Sequence, residues 1–262
     1  MSEKMALKLA AMAQALRGTM GFAIKSLEGS EAFYHRAEER FHAASIIKMA
    51  IAGELYRQIE KGLRRRDETV RLAAEFKVDG AGVLKELHDG LELTVSDLAA
   101  LMIVVSDNTA SNMLIDLVGM DQVNSLLEHL GMTGSRLVKK FMLSHPDPSF
   151  FNYTTPRDTL VLLEKIYRGE FLSHTSAGEV LGILERQQYR EKIPLFLPEE
   201  LRIAHKTGEV TGVRHDAGIV LLERNPYVIC LFTRDLEDPL EGDRVIAEIS
   251  REVFHYFSCA RG

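Results

Sequence analysis

The spacing of apolar positions changes several times along the chain, and each change marks an element. An amphipathic pattern predicts a first helix over residues 3–17. Met20 to Ser26 and Ala32 to Ala37 read as two strands joined by the turn Leu27-Glu28-Gly29-Ser30. From Ser45 to about Leu63 the pattern becomes helical, with Ile47, Ile51, Leu55 and Ile59 at a four-residue spacing. Leu91 to Val105 predicts another helix, with Thr94 as its N-cap and Asp97 three residues on. Asn108 to Val118 and Asp121 to Leu130 follow as helices, stopped by Gly119 and Gly131. Residues 139–156 hold three prolines and no period, which predicts a long loop, and a loop of that length inside a compact domain is usually functional. Helices resume over Pro156–Tyr167 and Thr175–Gln187. Leu201–Thr207, Ala217–Leu222 and Tyr227–Thr233 are strand-like, the last two joined by Glu223-Arg224-Asn225-Pro226, and residues 239–257 close the chain as an amphipathic helix.

Strands near both ends with helices between them predict one antiparallel sheet built from both termini. The expected arrangement is a single domain over residues 1–262 in two lobes. An α/β lobe spans about 1–40 plus 196–262, and an all-α lobe spans about 41–195. The boundary between lobes is a natural cleft for a small molecule.

Composition narrows the function classes. Of 262 residues, 46% are hydrophobic and 27% charged, as in ordinary globular domains. No uncharged apolar run approaches the roughly 18 residues that a membrane helix needs. The net charge of −6 argues against a nucleic-acid binder. Arg64-Arg65-Arg66, followed at once by Asp67 and Glu68, reads as a solvated helix end. Leu9 to Leu16 resembles the apolar core of a signal peptide, but it is short and lacks a clean positive region before it. Read as helix instead, it leaves a chain without an export signal, expected in the cytoplasm. Cys230 and Cys259 make no disulfide framework, and no Cys-x-x-Cys or His-Glu-x-x-His array is present. No metal or cofactor is therefore expected, and the expected partner is a small molecule.

Three short motifs carry candidate chemistry. Ser45-Ile46-Ile47-Lys48 puts a hydroxyl and an amine on one helix face, where a desolvated lysine can take the serine proton. Ser106-Asp107-Asn108 falls in a break between helices; it offers a second hydroxyl and an orienting amide, or an ordinary N-cap. Lys206-Thr207-Gly208 stands near a strand end, where lysine and threonine can hold a carboxylate and glycine admits a close ligand. Arg214, on or entering the next strand, offers a second positive charge. Each motif alone is common, but the three together in this order are expected in on the order of one chain in several hundred.

The set resembles the signature of class A β-lactamases and related penicillin-binding proteins, including the Thr154-Thr155-Pro156 after the long loop. The resemblance implies a β-lactamase-like α/β (α+β) fold. That fold is an antiparallel sheet of about five strands, flanked by N- and C-terminal helices, plus an all-α lobe. It implies Ser45 as acylated nucleophile, Lys48 as its neighbouring amine, Ser106 as proton relay to the leaving nitrogen and Asn108 as a positioning group. Lys206 and Thr207, with Arg214 assisting, would bind a substrate carboxylate, and the resemblance implies a monomer. The backbone N–H groups of Ser45 and Glu209 would form the oxyanion hole.

One departure from the family pattern bears on turnover. Class A enzymes carry a glutamate in the long loop that activates the deacylating water, and here it would align near Phe141. The usual Arg-x-Glu-x-x-Leu-Asn is absent, and the loop is about two residues short. Between Arg136 and Pro156 the only acid is Asp147, flanked by Pro146 and Pro148, either a replacement base or a solvated turn residue. Acylation is expected to be intact and deacylation atypical or slow. The alternatives are a serine D-peptidase or esterase, or a penicillin-binding protein that stays acylated.

Overall fold

The computed structural model describes residues 2–145, 147 and 149–259. The chain opens with α1 (Ser2–Ala15), β1 (Thr19–Ser26), β2 (Ala32–His35) and the short β3 (Phe41–His42). A 3-10 turn over Ala44–Ile47 runs directly into α2 (Lys48–Glu60). Then come β4 (Thr69–Arg71), β5 (Glu92–Thr94), α3 (Val95–Val104), α4 (Asn108–Val118) and α5 (Met120–His129). After the long loop follow β6 (Tyr153–Thr154), α6 (Pro156–Arg168) and α7 (His174–Glu185). The chain closes with β7 (Ile203–Val210), β8 (Val213–Val220), β9 (Tyr227–Arg234) and α8 (Pro239–Cys259).

The main sheet has five strands in the order β2-β1-β9-β8-β7, every neighbour antiparallel. The termini meet in its centre, where Phe22 faces Leu231 and Ile24 faces Ile229 across β1 and β9. The period of two along a strand sorts side chains between two core layers. On β9, Tyr227, Ile229 and Leu231 join Leu9 of α1 and Ile249 and Val253 of α8. Val228, Cys230 and Phe232 face the opposite way, into the larger core shared with the helices between the two strand groups. This is the sheet, with its flanking terminal helices, that the resemblance implies. Leu9 is fully buried, worth about 1.5–3 kcal/mol for one leucine side chain. Among the described residues no helix is long and apolar enough to cross a membrane.

Several boundaries differ from the sequence expectation. The predicted helix over Leu91–Val105 begins only at Val95, because Glu92–Thr94 pairs with Thr69–Arg71 as a ribbon. Thr94 closes that strand and caps α3: its hydroxyl accepts from the Asp97 amide while the Asp97 carboxylate accepts from the Thr94 amide. Ser45 lies in the 3-10 turn before α2, rather than opening an α-helix. β7 and β8 each run eight residues, beyond the predicted spans. Lys206, Thr207, His215 and Asp216 are buried polar residues that break the apolar pattern by which strands are recognised.

Candidate active site

The Ser45 turn is shaped from two sides. Ala44, the residue before the serine, has a φ of +44°, a left-handed conformation that costs an L-residue about 1–2 kcal/mol. Its amide donates to His42 Nδ1 at 2.9 Å, and the Ala43 amide donates to the Asn152 carbonyl at 2.6 Å, which ties the turn to the far end of the long loop. From the other side β7 presses on the turn. A Cβ on Gly208 would stand 3.0 Å from Ile46 Cγ1, 3.2 Å from Ala44 Cβ and 3.3 Å from the Ser45 amide nitrogen. The glycine after Lys206-Thr207 therefore admits the serine turn itself, where the sequence suggested a ligand.

Lys48, the first residue of α2, is completely buried. Its Nζ donates to the Ser106 carbonyl at 2.6 Å and to Asn108 Oδ1 at 2.8 Å, and lies within hydrogen-bond reach of Ser106 Oγ at 3.2 Å. Lys206 is equally buried, and its Nζ donates to Ser106 Oγ at 3.1 Å and to the Thr207 carbonyl at 2.9 Å. Burial, and then the charge of Lys206, push the Lys48 ammonium far below the usual lysine range. Burial also lowers Lys206, to about 7; Asp216 opposes the shift and Lys192 adds to it.

Ser106 sits at a φ of +56°, a second strained residue at the same site. Asp107 explains how this is held. Its Oδ1 caps α4 by accepting from the Ala110 amide at 2.9 Å, and its Oδ2 accepts from the Val83 and Leu84 amides at 2.6 and 2.8 Å. The loop carrying those amides lies so close that a Cβ on Gly82 would fall 2.4 Å from Asp107 Cα. Of the Ser-Asp-Asn motif, then, Asp107 is the N-cap, while Ser106 and Asn108 face Lys48.

Three asparagines fasten the long loop. Asn124 brackets Leu137 and Asn152 brackets Val138 and Lys139. Asn112 accepts from the Phe141 amide at 2.8 Å and donates to its carbonyl at 3.0 Å. That clamp sets the Phe141 ring over Lys48, with Nζ 4.4 Å from the ring centroid. Phe141 is where the resemblance places a glutamate. Asp147 is exposed; its Oδ1 accepts from the amide and hydroxyl of Ser149 at 2.8 and 2.7 Å, bonds that hold its carboxyl below the usual range. It lines neither cavity beside Ser45.

Ser45 borders two cavities. One, of about 310 Å³, is lined by Phe141, Met142, Leu143, Asn108 and Lys139 among others. The second, of about 300 Å³, is lined by Ser45, Ser106, Thr207, Tyr189, Glu191 and Glu209. Ser45, Lys48, Ser106, Asn108, Lys206, Thr207, Gly208 and Glu209 thus converge. Arg214 does not: its Nη1 donates to the Val213 and Val210 carbonyls at 2.9 and 3.3 Å, and its Nε lies 3.6 Å from Asp243. Tyr189 and Glu191 were not foreseen, because residues 186–202 carry no period or motif that singles them out.

Fold and site together define a serine hydrolase of the class A β-lactamase type. The chain belongs to the Beta-lactamase enzyme family, whose model matches residues 4–257. A β-lactamase from Sphaerobacter thermophilus is 36% identical in sequence and superimposes with a TM-score of 0.92 over 99% of both chains. A leucine-to-glutamate variant of PBP-A, solved as its acyl-enzyme complex with penicillin G, is 28% identical with a TM-score of 0.90 over 98% of this chain and 97% of that one. Among curated relatives, the extended-spectrum β-lactamase PER-1 of Pseudomonas aeruginosa is 24% identical over 92% of this chain and 83% of its own.

Proposed function

We propose that the protein opens the amide bond of a β-lactam, or a related amide or ester, through an acyl-enzyme on Ser45 that hydrolyses slowly. Ser45 Oγ attacks the carbonyl carbon, and its proton passes to the neutral amine of Lys48, directly or by way of Ser106. The oxyanion is held by the amides of Ser45 and Glu209, an arrangement worth several kcal/mol of barrier. As the carbon–nitrogen bond breaks, Ser106 hands a proton to the leaving nitrogen and is reprotonated by Lys48. Lys206 and Thr207 hold the substrate carboxylate, and Asn108 keeps Lys48 and the acyl chain in place. Arg214 has no part in this reading, since it lines neither cavity beside Ser45 and its guanidinium is engaged by the Val213 and Val210 carbonyls, Asp243 and Glu209.

The observation that carries slow deacylation is the Phe141 ring over Lys48. A general base must come within about 3 Å of the attacking water or act through one intermediate, and a phenyl ring supplies no base. Asp147 is committed to Ser149, so Lys48 is left to serve both steps. A second reading, a penicillin-binding enzyme that remains acylated by β-lactams and turns over another acyl substrate, is favoured by the likeness to PBP-A. The nucleophile is tested by intact mass of the wild type and of Ser45→Ala after mixing with benzylpenicillin. The wild type should gain one acyl group and the variant none, with unchanged thermal unfolding. Labelling of the variant would overturn the assignment.

A further inference from the structure

Ser45 divides the cleft into halves of opposite electrostatic character. The half beneath Phe141 carries Lys139 and Lys140, with Glu209 on the border that both halves share, and burial pushes the His42 imidazole below its usual range toward the neutral form. In the half bordered by Ser106 and Thr207, the charged side chains on the wall are Glu191 and Glu209. Both carboxylates are near half exposed, at 45% and 44%. Behind them lies Lys192, with no exposed side chain, its Nζ 2.8 Å from Glu191 Oε1, 2.5 Å from Glu209 Oε1 and 3.5 Å from Asp243 Oδ1. Arg214 stands 3.6 Å from Asp243 and 4.0 Å from Glu209. Three carboxylates therefore share two cations, of which Lys192 is fully buried and Arg214 is 20% exposed. Burial is the largest influence on Glu209 and works against its charge, but the bond and charge of Lys192 together with the charges of Arg214 and Lys206 outweigh it, so the carboxyl stays below its usual range.

A pocket that met only a leaving-group carboxylate would present cations to the cavity. This one presents two carboxylates beside Lys206 and Thr207, whose own groups suit a carboxylate. The combination fits a leaving group that bears both charges. We propose that Glu191 and Glu209 are specificity-determining residues, and that the preferred substrate is an acyl amide or ester whose leaving group carries an ammonium in addition to its carboxylate, the chemistry of a basic or diamino acid. The ammonium is a spectator: the acyl–nitrogen bond breaks, the acyl–Ser45 bond forms, and the departing α-nitrogen takes the proton relayed by Ser106. The proposal rests on the acyl-enzyme reading above.

The test is competition. Acyl-peptides that share one acyl part and end in D-lysine, D-alanine or D-glutamate are scored for protection of the full-length protein against labelling by a fluorescent penicillin. The D-lysine peptide should protect at about fivefold lower concentration than the D-alanine peptide, the scale of one partly exposed charge pair, with D-glutamate weakest. Glu191→Gln should lose most of that ratio and Glu191→Asp should keep it, which a merely structural role would not produce. Labelling that proceeds with a flat or reversed order would overturn this proposal alone. No labelling and no peptide turnover would overturn the acyl-enzyme reading and the proposal with it.

Discussion

Lys48 and Lys206 reach the same oxygen, Ser106 Oγ, with their Nζ atoms at 3.2 and 3.1 Å. One hydroxyl can accept from one amine and donate to the other, which suits a charged Lys206 and a neutral Lys48. The lowering of Lys48 by burial and by the Lys206 charge points the same way. In the proposed reaction, environment alone would separate these two identical amines into a base and an anion holder.

This division predicts the pH profile of acylation. Lys206 is cationic below about 7 and loses its proton as pH rises through that value. Acylation by a carboxylate-bearing β-lactam should decline on the alkaline side with an apparent pKa near 7, read as the second-order labelling rate against pH. A neutral ester substrate should lack that limb. A β-lactam rate that stays level up to pH 9 would contradict the role of Lys206.

Removing the base is a separate matter. Lys48→Ala should lower the acylation rate about 10²–10⁴-fold, the usual worth of a positioned general base. It also leaves Asn108 Oδ1 and the Ser106 carbonyl without their lysine, so thermal unfolding must be measured alongside. Acylation within a factor of three of wild type would assign the base elsewhere.

Phe141 offers the converse experiment. Asn112 holds its backbone at both the amide and the carbonyl, so a new side chain there keeps its place. Phe141→Glu should shorten the acyl-enzyme lifetime by at least about tenfold, toward the 10²–10⁴ of a well-placed base. The decay of the penicillin adduct by mass measures it. An unchanged lifetime would mean that something other than a missing base limits deacylation.

Stability should depend on pH through His215. It is fully buried, its Nε2 donating to the His42 carbonyl at 2.8 Å and its Nδ1 accepting from the Thr233 amide at 3.1 Å, and burial lowers its pKa to about 4. The unfolded chain takes up this proton near pH 6.5 and the folded one only near 4, so stability is lost as pH falls through that window. The full loss is about 3 kcal/mol, from 1.36 kcal/mol per pKa unit. Urea unfolding at pH 7 and pH 4.5 measures it, and His215→Gln should flatten the difference. An equal pH slope in wild type and variant would rule out His215 as the source.

Much of this molecule was legible before any coordinates. The apolar run Tyr227–Thr233 read as a strand and is one, buried between the two core layers, and the capping pair Thr94 and Asp97 marked the true helix start at Val95, four residues after Leu91. The three motifs located the cleft because their side chains converge on it. Elements that carry no period stayed hidden. The ribbon of Thr69–Arg71 with Glu92–Thr94 is short and largely exposed, so no alternation betrays it. Arg214 lines neither cavity because its guanidinium is taken up by strand carbonyls and by Asp243, which lies on α8, far off in sequence. The contact between Phe141 and Lys48 depends on three asparagines that read as ordinary loop and helix residues. Gly208 was explicable only once the Ser45 turn was seen against it.

The most direct test is the intact mass of the protein followed over time after mixing with benzylpenicillin. With Phe141 in place of a base, the adduct on Ser45 should form and persist for hours with little free product. An adduct that clears within seconds to minutes, releasing many equivalents of hydrolysed penicillin, would contradict slow deacylation and require a water-activating base that Phe141, Asp147 and their neighbours do not supply.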